Sequence, residues 1–226
     1  MSFWEFLSAG RDQLWDKVRE MIVKDPQLIW EAVDGCGFTI VTWVIHWNNV
    51  EMLQYMAEAI RSFSQTPQQE EQLLKYTFEY EERCGGTPTQ RAVGYGHIEC
   101  LSWLMRNAPS GAAVLEEKDE SGNTASHEAA HQSRMNALEF IVRNAPSGVK
   151  VLMTENDKGK TPLTKNRGAA KKYFTPQKIR ELAFERESEV IRTALIFDSD
   201  SLVQLMLSVV VQNIELQLYR NAQVAS

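Results

Sequence analysis

Apolar residues recur along the chain three and four positions apart, in short blocks. Val18, Met21 and Ile22 form one block, and Ile98, Leu101, Leu104 and Met105 form another. Leu101–Met105 and Leu138–Val142 each run into a break at Asn-Ala-Pro-Ser-Gly. Such spacing lays an apolar stripe along a helix. Thr66-Pro67-Gln-Gln-Glu-Glu combines a capping hydroxyl, Pro at the first helical position and acids in the first turn, which predicts a helix over 66–82. Thr175-Pro176 starts another, ending near Leu195. From Leu202 to Leu218 the chain is unusually apolar, with Leu205, Met206, Leu207, Val209, Val210, Val211, Ile214 and Leu216. That stretch predicts either a buried helix or one covered by a partner or a second copy. The pattern as a whole predicts an all-α protein of helices joined by short loops.

The blocks repeat. Arg-Asn-Ala-Pro-Ser-Gly occurs at 106–111 and again at 143–148, 37 residues later. Each copy follows an apolar helical stretch and precedes a Val-Leu pair, Val114-Leu115 and Val151-Leu152. Each then reaches an acidic turn and a Gly-x-Thr. These marks fall at Gly37, Gly85, Gly122 and Gly159, spaced by 48, 37 and 37 residues. Thr after the Gly caps the free N–H groups of a following helix. Paired small residues such as Ala129-Ala130 admit a close neighbour, and a Gly between helices supplies a turn at positive φ. One such hairpin cannot bury its apolar face alone, so several must stack.

Gly85-Gly-Thr-Pro88, Ala92, Gly96-His97, Glu99 and Leu104-Met105 together resemble the ankyrin repeat, whose period is about 33 residues. Thr124, His127 and Ala129-Ala130 match in the next copy, and Gly37, Thr39 and Glu51 in the copy upstream. Gly159-Lys-Thr-Pro-Leu163 matches at the turn and then departs, with Asn166-Arg167 and Lys171-Lys172. The resemblance implies an ankyrin-type helical-hairpin solenoid spanning 1–226 as a single array. In it, 1–36 form N-terminal capping helices, and 37–56, 85–105, 122–141 and 159–168 are repeat cores. Residues 57–84 are a helical insertion, and 175–226 hold a degenerate repeat and C-terminal helices. The ends are irregular, and a solenoid should end on a polar-faced cap, so the apolar tail at 202–218 needs cover.

Charge and composition narrow the function. Twenty-four basic against 30 acidic residues leave a formal charge of −6, which argues against a nucleic-acid partner. No run reaches about 18 apolar residues, so no membrane span is expected. Cys36, Cys84 and Cys100 form no C-x-x-C pair, which suits a reducing compartment. The start, Met-Ser-Phe-Trp-Glu, has no basic segment leading into a long apolar run, so no signal peptide is expected. The expected location is the cytoplasm, of its own cell or of a host cell if the protein is a delivered effector.

Chemistry-bearing motifs are sparse. His127-Glu-Ala-Ala-His131 matches H-E-x-x-H, in which two His one turn apart bind zinc and the Glu acts as base. It coincides with the repeat's own residues, and no third ligand is evident. A metal-dependent hydrolase is therefore the alternative, while the expectation is no catalytic residue, no metal and no cofactor. Lys158-Gly-Lys-Thr161 lacks the earlier Gly of a phosphate-binding loop. The ankyrin resemblance implies that a partner protein binds the concave face. Carried across, its turn tips are Phe38, Gly86, Asn123 and Lys160. Its exposed first-helix positions are Trp43, His46 and Trp47, then Arg91, Gly94 and Tyr95, then Glu128, His131 and Gln132. Aromatics and Arg are enriched at binding hot spots. The expectation is thus a non-enzymatic adaptor that uses Phe38, Trp43, His46, Trp47, Arg91 and Tyr95, with Asn123, Glu128, His131, Gln132 and Lys160 beside them. Trp43 and Phe38 packed internally is the competing reading, and self-association through 202–218 is a further one.

Overall fold

The computed structural model describes residues 2–79, 86–164 and 169–197. Every regular element among them is helical, and the only extended pairing there is an isolated bridge between Val33 and Thr39. No described helix is long and apolar enough to cross a membrane. The chain divides into two compact units, residues 1–170 and 171–226. Of the 175–226 segment expected to hold a degenerate repeat and C-terminal helices, residues 198–226, with the apolar stretch at 202–218, lie outside the described residues, as do Cys84, Gly85 and 165–168.

The first unit is a succession of helical hairpins. Its helices are α1 (Phe3–Arg11), α2 (Trp15–Lys24), α3 (Leu28–Glu31), α4 (Ile40–His46), α5 (Val50–Phe63), α6 (Pro67–Phe78), α7 (Pro88–Tyr95), α8 (Ile98–Asn107), α9 (Ala125–His131) and α10 (Met135–Asn144). One row of contacts runs α1 on α4, α4 on α7, α7 on α9, and α9 on a 3-10 turn at Pro162–Thr164. Behind it, α2 packs on α5 and α5 on α8, while α6 packs on α5 and α3. The short α11 (Ala169–Tyr173) follows, and α12 (Pro176–Phe197) is the main described element of the second unit. Thr175 Oγ1 accepts from the Lys178 N–H at the start of α12, 3.3 Å away.

Sequence marks translate into caps. Thr39, Thr87 and Thr124 are the N-caps of α4, α7 and α9, each in a reciprocal capping box with the residue three later. Those later residues are Thr42, Gln90 and His127. Thr66 caps α6, accepting from the Gln69 N–H at 3.1 Å, with Pro67 at the first position. Nine residues after each of the three hairpin caps the chain takes a left-handed turn, at Asn48 (φ 51°), Gly96 (φ 84°) and Ser133 (φ 56°). Gln13 (φ 60°) makes the same turn between α1 and α2. Only Gly adopts this conformation without a steric cost; Gln13 and Ser133 carry on the order of 1 kcal/mol each.

Three residues before the Gly at 37, 122 and 159, an Asp or Asn side chain builds the loop. Asp34 Oδ1 accepts from the N–H groups of Cys36 and Phe38 at 2.8 and 2.9 Å. Asp119 Oδ1 does so for Ser121 and Asn123, at 2.9 and 2.8 Å. Asn156 Oδ1 does so for Lys158 and Lys160, at 3.1 and 3.0 Å. Successive loops are then tied together. Gln90 Nε2 donates to the Asn123 carbonyl at 2.6 Å, and Asn156 Nδ2 to Asn123 Oδ1 at 2.7 Å.

The 37-residue period has its own fastening. Each Pro-Ser-Gly begins a 3-10 turn, Gly111–Leu115 and Gly148–Leu152. The Glu79 carboxylate accepts from Ser110 N–H at 2.6 Å and Ser110 Oγ–H at 2.7 Å. One period later, the Glu116 carboxylate accepts from Ser147 N–H at 2.6 Å and Ser147 Oγ–H at 2.9 Å. The residues beyond the standard period therefore form a carboxylate–serine latch onto the preceding unit. Between the rows lies the core, including Val44, Ile45, Leu53, Met56, Ala92, Leu101, Leu104, Leu138 and Ile141, all fully buried. Each buried Leu or Ile contributes roughly 1.5–3 kcal/mol. Ala129 and Ala130 are fully buried as well, which lets neighbouring helices approach α9 closely.

Candidate functional site

On α4, residues three and four apart share a face, which places Trp43, His46 and Trp47 together. On α7, Arg91 and Tyr95 share a face in the same way. Packing of α4 on α7 joins the two sets. The His46 ring lies edge-to-face against three others: Trp43 at 6.0 Å between centroids, Trp47 at 4.8 Å and Tyr95 at 4.9 Å. Phe38 meets Trp43 edge-on at 6.0 Å, and the Arg91 guanidinium lies over the Phe38 ring at 5.4 Å. Edge-to-face aromatic pairs contribute about 0.5–1.5 kcal/mol each beyond burial, and a cation over a ring about 0.5–1 kcal/mol at a surface. The six residues form one contiguous layer. Trp47 is 41 % exposed and Tyr95 37 %, while Phe38, Trp43, His46 and Arg91 are half-buried beneath or beside them. Internal packing and exposure therefore coexist, since the rings bury one another's edges and leave an outer surface.

The layer extends onto α1, which has no Gly-x-Thr before it and lies in the expected capping helices, where no site residue was expected. Trp47 Nε1–H donates to the Arg11 carbonyl at 3.1 Å. The Arg11 guanidinium, 5.9 Å from the Trp4 ring centroid, pairs with Asp12 at 2.9 Å. Trp4 itself is 64 % exposed.

The α9 portion is polar. Glu128 accepts from Gln132 Nε2 at 3.0 Å and lies across Gly94, where an added Cβ would stand 3.3 Å from its Oε1. Asn123 is occupied within its loop, bonded to Asp119 and Asn156. His131, Gln132 and Lys160 are exposed. Of the eleven residues singled out from the sequence, six thus meet in the ring layer. Glu128 and Gln132 form a polar border, and Asn123 serves the loop.

His127 is fully buried. Its Nε2 faces the Lys160 carbonyl at 2.9 Å, and its Nδ1 faces the Thr124 N–H at 3.1 Å. A carbonyl only accepts and an amide N–H only donates, so Nε2 carries the proton and Nδ1 offers its lone pair. Both ring nitrogens are spent on the fold, which leaves none for a metal. Among the described residues no group of three or more His, Cys, Asp or Glu could hold a metal ion. Cys100 is fully buried, and burial, with the neighbouring Glu99 charge, pushes its thiol up to about 12. That is the reverse of an activated nucleophile.

Two residues after the hairpin turns escaped sequence reasoning. His97 Nε2 reaches the His46 carbonyl of the preceding hairpin at 3.1 Å. Arg134, at the equivalent position, donates through Nε to the Gly94 carbonyl at 3.3 Å. No family model matches the chain, and no curated protein matches it.

Proposed function

We propose that this chain is an ankyrin-type solenoid that binds another protein through the face built by α4, α7 and α9, without chemistry of its own. The observation that carries the reading is the ring layer: Phe38, Trp43, His46, Trp47 and Tyr95, with Arg91, span two consecutive hairpins and expose Trp47 and Tyr95. Exposed Trp, Tyr and Arg on a rigid scaffold supply large contact area at low entropic cost. The ankyrin assignment draws support from the Thr N-caps at 39, 87 and 124, the left-handed turn nine residues after each, and the consecutive packing of the first helices. Side chains at the third helical position, Gln90 and His127, also bond to the next loop's carbonyl.

The test is affinity capture from cell extract with the full chain and with Trp47→Ala, Arg91→Ala and Tyr95→Ala. A specific partner recovered by the parent chain is expected to be lost or strongly depleted in at least one variant that melts at the parent temperature. Unchanged recovery by all three removes this face from consideration.

A further inference from the structure

We infer that Arg134 is a carboxylate receptor on this face, and that the partner segment is acidic peptide carrying a large apolar side chain beside its acid. The inference rests on the protein-binding reading above and deepens it. His97 and Arg134 occupy equivalent places, immediately after the inter-helix turn, and do the same structural task. Each reaches back to the carbonyl at the end of the preceding first helix, His46 O for His97 and Gly94 O for Arg134. The imidazole spends its one N–H on that bond. The guanidinium spends one of five N–H donors and keeps its charge.

Its position is fixed. The Nε–H bond holds it to Gly94, and the side chain from Cδ to Cζ lies against Gly96, within 3.5 Å of where a Cβ would stand. Gly94 and Gly96 flank Tyr95, so the fixed cation sits at the margin of the ring layer. Arg134 is exposed, and among the described residues its guanidinium forms no ion pair. Arg11 pairs with Asp12, Arg19 with Asp16 and Glu51, Arg61 with Glu70, and Arg143 with Glu139. Arg91, one turn before Tyr95, adds a second positive charge to the same helix face. Glu128, bonded to Gln132, lies across Gly94, the residue whose carbonyl Arg134 holds. A prepositioned guanidinium with no ion pair among the described residues, beside the exposed Tyr95, matches a carboxylate adjoining an aromatic or aliphatic side chain. This complementarity occurs on a protein whose formal charge is −6.

The experiment uses fluorescence anisotropy with three synthetic peptides of about twelve residues. They share a central Leu-Phe pair and differ only in flanking Glu, Gln or Lys. The full chain is expected to bind the Glu peptide about tenfold tighter than the Gln peptide, and the Lys peptide least, with the Glu advantage fading as salt rises. Arg134→His keeps the bond to Gly94 that His97 makes to His46, so it should melt as the parent does while losing the Glu advantage. If Arg134→His fails to fold, Arg134→Gln replaces it and is judged by the same ratio. Equal binding of the Glu and Gln peptides, absence of binding to all three, or a Glu advantage that survives at position 134 overturns the inference. A phosphoserine peptide that binds tighter than the Glu peptide overturns the assignment to carboxylate. A partner captured through Trp47, Arg91 or Tyr95 without acidic preference overturns this inference alone and leaves the binding reading standing.

Discussion

Glu79→Ala removes the acceptor of the first carboxylate–serine latch. Glu79 is only 4 % exposed, and its two oxygens accept from Ser110 N–H and Oγ–H at 2.6 and 2.7 Å. Hydrogen bonds to a charged group contribute roughly 1.5–3 kcal/mol each. Two of them, reduced because Ser110 is half-buried and water can reach the orphaned donors, set the expected loss at about 3 kcal/mol. Ser110→Ala removes only the hydroxyl bond, for about 1.5 kcal/mol. The double variant should cost about as much as Glu79→Ala alone, because the hydroxyl bond disappears in both, so the coupling is about 1.5 kcal/mol. The assay is urea unfolding of the four chains followed by far-ultraviolet circular dichroism, with the midpoint shift converted through a common slope. A coupling under about 0.5 kcal/mol would refute the latch as an energetic contact and reduce it to loop geometry.

Ser126→Ala, at a fully buried hydroxyl with no hydrogen-bond partner, should raise stability by about 1 kcal/mol, and Thr89→Val should act in the same direction at the equivalent place on α7. A lower melting temperature for both would show that the hydroxyls are satisfied in solution. Gly122→Ala should cost about 2 kcal/mol or more: φ is +71°, and the new Cβ would meet the Asp157 backbone nitrogen at 2.8 Å. An unchanged melt would contradict the loop geometry. In a Cys84→Ser background, a thiol reagent at neutral pH should label the exposed Cys36 quickly and the buried Cys100 only on unfolding. Because folding holds the Cys100 thiol up to about 12 against an ordinary value of 9.0, the unfolded chain releases the proton first. Its contribution is intact below about 9 and falls as pH rises toward 12, which an alkaline series of melts on Cys100→Ala and the parent would expose as a difference in slope.

Much of the architecture was legible because the local chemistry is explicit. Thr39, Thr87 and Thr124 announce helix starts by a mechanism that needs no tertiary context, and Trp43, His46 and Trp47 follow from helical spacing once the start is known. That their rings meet Tyr95 and Arg91 depended on register between hairpins, which the repeated marks supplied. What stayed hidden had no periodic mark or required a partner distant in sequence. The helix α1 lacks a Gly-x-Thr, so its carbonyl at Arg11 as the acceptor for Trp47 went unnoticed. Glu79 and Glu116 carry no local mark, since their function appears only when Ser110 and Ser147 fold back 31 residues later. Arg134 likewise carries no local mark, because its bond to Gly94 spans 40 residues. The H-E-x-x-H match is the opposite case. The residue pattern was present, but His127 is a repeat position whose nitrogens are committed to the loops on either side.

The latch bears on how such a chain can lengthen. The 37-residue segment from 79 to 115 contains both halves of one latch, the Glu79 carboxylate and the Ser110 that folds back onto it. A tandem duplication of that segment would bring its own complete latch, needing no compensating change elsewhere. Growth by whole segments is then tolerated, whereas insertion of a partial segment would separate acid from serine and leave a buried carboxylate without its donors. At position 153, one period beyond Glu116, the chain carries Met instead of an acid. The series of latches therefore has a built-in stop at that residue.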